Sequence, residues 1–177
     1  MCPFQIIHNN NLKVYSYEEF ANLIRKDINF IIEKYDKQGF VFWSKRDNTF
    51  VICYNMYYSF SSVHWTLMHE LSHIFLGHAT KTNILKLHSK DNKLFEIEAE
   101  SFTKYLLCPY IVLSQCKILE ISEIMYICGV DKNIALKKSI SLKKIKIGNN
   151  ITSLESLIIE QFNNFISNYL KYRKKGT

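Results

Sequence analysis

The residues with the clearest chemical potential form one pentad, His69-Glu70-Leu71-Ser72-His73. On a helix, residues four apart lie on one face, so the two imidazoles can bind the same metal ion. Glu70 is turned about 100° from His69, where its carboxylate can reach a water at that metal. The pattern predicts a hydrolytic zinc centre with His69 and His73 as ligands and Glu70 as general base. The alternative is a pair of neutral core histidines.

A catalytic zinc usually takes three protein ligands, and the acidic cluster at 96–100 can supply the third. Helical geometry leaves both Glu96 and Glu98 on the margins of the apolar stripe, so it does not separate them. A ligating histidine normally donates its second ring N–H to a carboxylate or carbonyl. Because Glu96 and Glu100 are four residues apart, we favour Glu96 as ligand and Glu100 as that acceptor. Glu98 stays an alternative ligand, and a solvated acidic helix face is the alternative for the whole cluster.

The elements that must position these residues follow from periodicity and from turn and cap residues. Two short runs rich in β-branched and aromatic residues predict an antiparallel hairpin, whose second arm, Phe50–Tyr54, is expected to be an edge strand for an extended substrate. The pentad helix is expected to start at Ser61 or Ser62 and to end at Gly77. The predicted elements are helix 17–35, strands 39–43 and 49–54, the pentad helix, a polar loop over 79–92, helix 93–107, a helix-turn-helix-like segment over 121–142, a break at Asn149-Asn150 and helix 152–172.

Composition excludes several classes of protein. The chain has 177 residues, 47% of them apolar, with only 5 Gly and 2 Pro, which suits one domain with a small appended lobe. We expect no signal peptide and no membrane span. Five scattered cysteines without a C-x-x-C pair favour reduced thiols in a cytoplasmic protein over a disulfide framework. The net charge of +7 lies entirely in residues 101–177, where a solvated basic face is the plain explanation.

The two motifs together resemble the ImmA/IrrE zinc metallopeptidases. HELSHIFLGH matches their His-Glu-x-x-His with a following Gly-His, and E-I-E-A-E-S-F-x-x-x-L-L-x-P matches their second helix. The spacing from the first Glu also resembles the gluzincin arrangement, in which that Glu, here Glu96, binds zinc. The sequence departs from the pattern at Glu100, where Asn or Asp is usual.

The resemblance implies a cytosolic peptidase that makes a limited cut in a regulatory protein, often a helix-turn-helix repressor. The expected fold is α+β, with a mainly helical zincin-like core and a small antiparallel sheet over residues 1–109. A C-terminal helical lobe over 110–177 is expected to pack on that core. The oxyanion-stabilising residue stays open among Tyr54, Tyr57, Tyr58, His64, His78 and Tyr105.

A second hypothesis is a metal-containing regulatory protein that binds DNA or a repressor without proteolysis. The helix-turn-helix-like segment offers Lys132, Asn133, Lys137 and Lys138, but no Arg or Gln to read base edges. Nucleic acid is therefore possible as a partner but not favoured. Manganese or iron can occupy the same ligands in vitro, and the oligomeric state does not follow from the sequence.

Overall fold

The computed structural model describes residues 2–81, 93–144 and 151–175, which form two compact units, 1–106 and 107–177. The fold is mainly helical α+β with a small sheet, so the predicted fold class is confirmed. The division at residue 109 into a peptidase core and a lobe packed on it stays a prediction. No helix in the described ranges is long and apolar enough to cross a membrane. Most of the predicted loop over 79–92 and the break at Asn149-Asn150 lie outside the described residues.

The first unit contains a three-stranded sheet with strands β1 (Lys13–Ser16), β2 (Gly39–Ser44) and β3 (Thr49–Tyr54). The predicted hairpin is present, because β2 and β3 pair antiparallel with Gly39 opposite Tyr54. The four-residue β1, too short to show a pattern, pairs parallel with the other side of β3. The strand order is β1-β3-β2, so the prediction that Phe50–Tyr54 forms an edge strand is wrong. Within the described sheet, β1 and β2 are the two edge strands.

The helices of the first unit are α1 (Pro3–Asn9), α2 (Tyr17–Ile24), α3 (Ile28–Lys34), α4 (Phe60–Phe75) and α5 (Lys93–Leu107). The single helix predicted over 17–35 is broken, because Arg25 takes a left-handed conformation with φ +54°. Asp27 then caps α3 by accepting a hydrogen bond of 2.7 Å from the Phe30 N–H. The apolar faces of α2 and α3 pack with the sheet in one buried cluster that includes Phe20, Ile31 and Phe40.

The pentad lies on α4, which packs against β2 and β3. The helix begins slightly earlier than expected, with Ser59 rather than Ser61 or Ser62 as its N-cap, and the Ser59 hydroxyl accepts from the Ser62 N–H. It ends at Phe75, and the predicted stop, Gly77, follows two residues later in a left-handed conformation with φ +73°. The second helix of the predicted site, α5, has the expected bounds.

The second unit is helical, with α6 (Tyr110–Gln115), α7 (Ile121–Cys128), α8 (Lys132–Lys144), α9 (Ser153–Gln161) and α10 (Asn163–Lys175). The predicted helix-turn-helix-like pair corresponds to α7 and α8, and Asp131 caps α8 by accepting from the Ile134 N–H. The helix predicted over 152–172 is interrupted at Phe162. Arg173 donates hydrogen bonds to the carbonyls of Cys116 and Lys117, so part of the basic C-terminal segment is used within the unit.

Candidate metal centre

The two histidines of the pentad meet on one face of α4. Their Nε2 atoms are 3.1 Å apart, and the ring planes are nearly perpendicular, at 84°. His73 is fully buried, at 0% exposure, whereas His69 is partly accessible. A separation of four residues on a helix therefore aims both ring nitrogens at one point, as the spacing predicts.

Glu96 on α5 completes the cluster. Its Oε2 lies 3.2 Å from Nε2 of His69, and its Oε1 lies 3.4 Å from Nε2 of His73. One ligand atom from each of the three side chains lies within 4.8 Å of the others. Two neighbouring helices thus bring two imidazoles and one carboxylate together at a single point.

These distances fit a tetrahedral zinc ion. With bonds of about 2.0–2.1 Å, ligand atoms around such an ion lie about 3.3 Å apart. The two histidine nitrogens are 3.1 Å apart. One Glu96 oxygen, Oε2, lies 3.2 Å from Nε2 of His69, and the other, Oε1, lies 3.4 Å from Nε2 of His73. Two imidazole nitrogens and a carboxylate oxygen are also the donor set of catalytic zinc sites that keep a fourth position open. The residues present fit the metal that the pentad predicts.

A hydroxyl contact joins the two helices beside the cluster. The Oγ of Ser72 and the Oγ1 of Thr103 are 2.8 Å apart and fully buried. Each hydroxyl also lies 2.7 Å from the carbonyl four residues earlier on its own helix. Since each hydroxyl has a single proton, one hydroxyl donates to the other across the helix interface, and the second donates to the carbonyl on its own helix. The pair links α4 to α5 at the residue before His73.

A cavity of about 300 Å³ opens at the cluster, and its lining includes His69, Glu70, Glu96, Gly39, Trp65 and Thr66. Glu70, the predicted general base, is buried, at 2% exposure, and lines this cavity. The arrangement brings a carboxylate, a candidate metal site and an opening for substrate into one place.

Burial and the neighbouring carboxylates have opposite effects on the pKa of His69. Burial lowers the pKa of its imidazole, but the hydrogen bond to Glu96 raises the pKa. The negative charges of Glu70, Glu96 and Glu100 raise it further, and the pKa lies above its ordinary value. The carboxylates therefore give the cavity a negative field, which favours a bound cation.

Gly39, at the start of β2, is required for the close approach of the strand to α4. A Cβ at this position would lie 2.3 Å from Cγ2 of Thr66, 3.0 Å from the Cys53 carbonyl oxygen and 3.8 Å from Cγ of Glu70. Real side chains do not tolerate the first of these distances. The missing side chain therefore allows β2 to pack beside the helical turn that presents Glu70.

The other two carboxylates of the acidic cluster have different partners. Oε2 of Glu98, the alternative ligand, lies 3.1 Å from Nε2 of His78, outside the three-residue cluster. Glu100 lines the cavity but accepts a hydrogen bond of 2.6 Å from Lys104 on its own helix. Its role as an acceptor for a ligating histidine therefore stays a prediction.

Sequence reasoning missed the position of His78, which it considered as one of six candidate oxyanion donors. Its Nδ1 lies 3.2 Å from Nδ1 of His73. The signal was present in the Gly-His that follows the pentad, because a glycine that ends a helix turns the next residue back toward the last turn. None of the six candidate oxyanion donors lines the cavity among the residues that the structure describes.

The profile of the Peptidase_M78 family, described as an IrrE N-terminal-like domain, matches residues 24–127. The match covers more than half of the chain and includes the sheet's hairpin, α4 and α5. It confirms the resemblance to the ImmA/IrrE family. Comparisons with curated proteins and with solved structures gave no match.

Proposed function

We propose that this chain, which belongs to the Peptidase_M78 family, is a zinc-dependent endopeptidase that makes a limited cut in a regulatory protein. The family indicates a metallopeptidase-like function and, in general, a protein substrate. One observation carries the proposal: His69, His73 and Glu96 converge to within 4.8 Å beside a cavity that Glu70 also lines.

The chain's own residues would divide the work of peptide hydrolysis. His69, His73 and Glu96 would hold the zinc ion, which when bound lowers the pKa of a water molecule and polarises a carbonyl. The Glu70 carboxylate would take a proton from the attacking water and pass it to the leaving amine. Its place in the cavity lining beside His69 and Glu96 supports this role, because a general base must lie within reach of the proton that it takes.

The edge position of β2 supports binding of an extended peptide. An added strand would form backbone hydrogen bonds along this edge and would be recognised mainly through its main chain. Gly39, the first residue of β2, lines the cavity, so such a peptide would lead directly to the cluster. Selection of one substrate would then depend on contacts elsewhere, which agrees with a limited cut rather than general digestion.

The substrate that we propose is a helix-turn-helix repressor, and a cytoplasmic location is proposed with it. Both rest on the resemblance to ImmA/IrrE proteins. All five cysteines are free, and four of them are buried, which is usual for a protein in a reducing compartment.

The test is incubation of the purified protein with the repressor encoded beside its own gene, with and without a zinc chelator. Mass spectrometry should detect one new pair of termini that chelation abolishes and added zinc restores. A Glu70→Gln variant serves as the matched control, since it keeps the three proposed ligands. Zinc-loaded protein that leaves every such repressor intact, or cleavage that persists in the variant, would overturn the proposal.

The non-proteolytic alternative has one observation in its favour, the α7–α8 pair with Lys132, Asn133 and Lys137 exposed on α8. It predicts salt-sensitive retention on duplex DNA in excess of retention on heparin. It also predicts that Glu70→Gln leaves the biological effect unchanged. The peptidase proposal predicts the opposite on both counts.

A further inference from the structure

The end of α4 returns His78 to the pentad. Gly77 is left-handed, and its N–H donates to the Ile74 carbonyl at 3.1 Å. The N–H of His78 donates to the His73 carbonyl at 2.9 Å. These two hydrogen bonds form a Schellman motif, in which the residue after the glycine bonds to the residue five positions before it. The backbone thereby places His78 beside His73, whatever its side chain does.

The side chains continue this contact as a chain of three groups. Nδ1 of His73 lies 3.2 Å from Nδ1 of His78, and Nε2 of His78 lies 3.1 Å from Oε2 of Glu98. Phe95 stacks on the His78 ring, with centroids 4.4 Å apart and planes at 11°. Both histidines are buried, so the ring of His78 is held in one plane and shielded from water.

When His73 binds a metal, only one arrangement of protons satisfies the hydrogen bonds that join His73, His78 and Glu98. A neutral imidazole has one N–H and one lone pair, and the lone pair of His73 Nε2 must face the metal. Its proton is then on Nδ1 and is donated to Nδ1 of His78. The proton of His78 is consequently on Nε2 and is donated to Glu98. Each donor has an acceptor, and the tautomers of both rings are determined.

We propose that His78 and Glu98 are positioning residues that orient His73 and keep its Nε2 available for the metal. The inference rests on the metal site of the proposed function, but not on the reaction or on the substrate. It gives Glu98 a role different from the ligand role considered for it. Because the Glu98 side chain is 48% exposed, we expect it to contribute less than His78.

The test measures zinc affinity by competition with a chromophoric chelator, and the absorption spectrum of the cobalt-substituted protein. In His78→Leu, the loss of the acceptor should weaken zinc binding about 10- to 100-fold and shift the cobalt bands. His78→Asn should recover most of the affinity, because its Oδ1 occupies the place of Nδ1 and accepts from His73. Glu98→Leu should weaken zinc binding less than His78→Leu does. Glu98→Gln, which keeps an acceptor oxygen, should weaken zinc binding less than Glu98→Leu.

The matched control is His8→Leu, since His8 is an exposed histidine on α1. It should bind zinc like the wild type. Circular dichroism of the metal-free variants separates misfolding from weaker binding, and if His78→Leu fails to fold, the Asn and Glu98 variants still decide the question. Wild-type protein that binds no zinc would overturn the metal site and this inference together. Normal affinity in folded His78→Leu, or no recovery in folded His78→Asn, would overturn this inference alone.

Discussion

The hydroxyls of Ser72 and Thr103 lie 2.8 Å apart between α4 and α5, directly beside the proposed ligand His73. Neither residue was predicted to have a role in the site, yet their contact links the helix with two histidines to the helix with Glu96. Thirty-one positions of sequence separate the two residues. The contact is therefore a tertiary link that supports the geometry of the cluster.

Ser72→Ala should destabilise the protein by about 0.5–1.5 kcal/mol, because it removes the cross-helix hydrogen bond while the Thr103 hydroxyl keeps its bond to the Ala99 carbonyl. Thr103→Val should have a similar cost, whereas the double variant should cost less than the sum of the two, since the shared hydrogen bond is lost only once. Urea unfolding of the four proteins measures this cycle. Additive costs would show that the hydroxyls act independently.

Glu70→Gln should keep zinc affinity and lose cleavage. The amide has nearly the shape of the carboxylate, but it cannot accept the proton of water, and general-base catalysis is worth about 10²–10⁴-fold. The rate of appearance of new termini measures cleavage, and chelator competition measures affinity. A variant that fails to bind zinc would instead indicate that Glu70 is needed to hold the metal.

Glu96→Ala should weaken zinc binding by more than the 10- to 100-fold typical of residues that only support a ligand. Glu98→Ala, two residues away on the same helix, is the matched comparison and should have a smaller effect. Isothermal titration with zinc measures both. The reverse order would make Glu98 the ligand and remove Glu96 from the site.

Gly39→Ala should cost about 1–3 kcal/mol by overpacking and should lower cleavage, because the new methyl displaces Thr66 and with it the turn that presents Glu70. The clash at 2.3 Å is with Cγ2 of Thr66, an atom that serine lacks. Gly39→Ala combined with Thr66→Ser should therefore recover part of both losses. Thermal unfolding and the cleavage assay report the two effects. If the double variant is no more stable and no more active than Gly39→Ala, the clash with Cγ2 of Thr66 is not the cause of the losses.

Gly77→Ala should also destabilise the protein, but for a different reason. A Cβ at Gly77 meets no atom within 4 Å, so the cost comes only from its φ of +73° and should be about 1–2 kcal/mol. Gly77→Asn should be milder, because asparagine tolerates the left-handed conformation. If the Schellman motif places His78, zinc affinity should fall in the order Gly, Asn, Ala. Equal zinc affinities in the three proteins would show that the conformation of the helix end does not affect the metal site.

Local spacing was sufficient to predict the pentad helix, the β2–β3 hairpin and α5, because each of these depends on neighbours within a few residues. The same rules failed at Arg25 and Phe162. Apolar periodicity continues across both positions, so the pattern indicated one helix where the chain forms two. In the first case, the left-handed Arg25 and the cap from Asp27 start a new helix within the same apolar stripe.

The sequence by itself therefore determined which residues could carry the chemistry, because a four-residue spacing on a helix is local geometry. Only the tertiary structure decided how they are used. A helical wheel gives the angle between Glu96 and Glu98 on α5, but not the rotation of α5 against α4, which depends on contacts such as Ser72 with Thr103. That rotation directs Glu96 to His69 and His73 and directs Glu98 to His78. The central position of β3 likewise depends on its pairing with the distant β1.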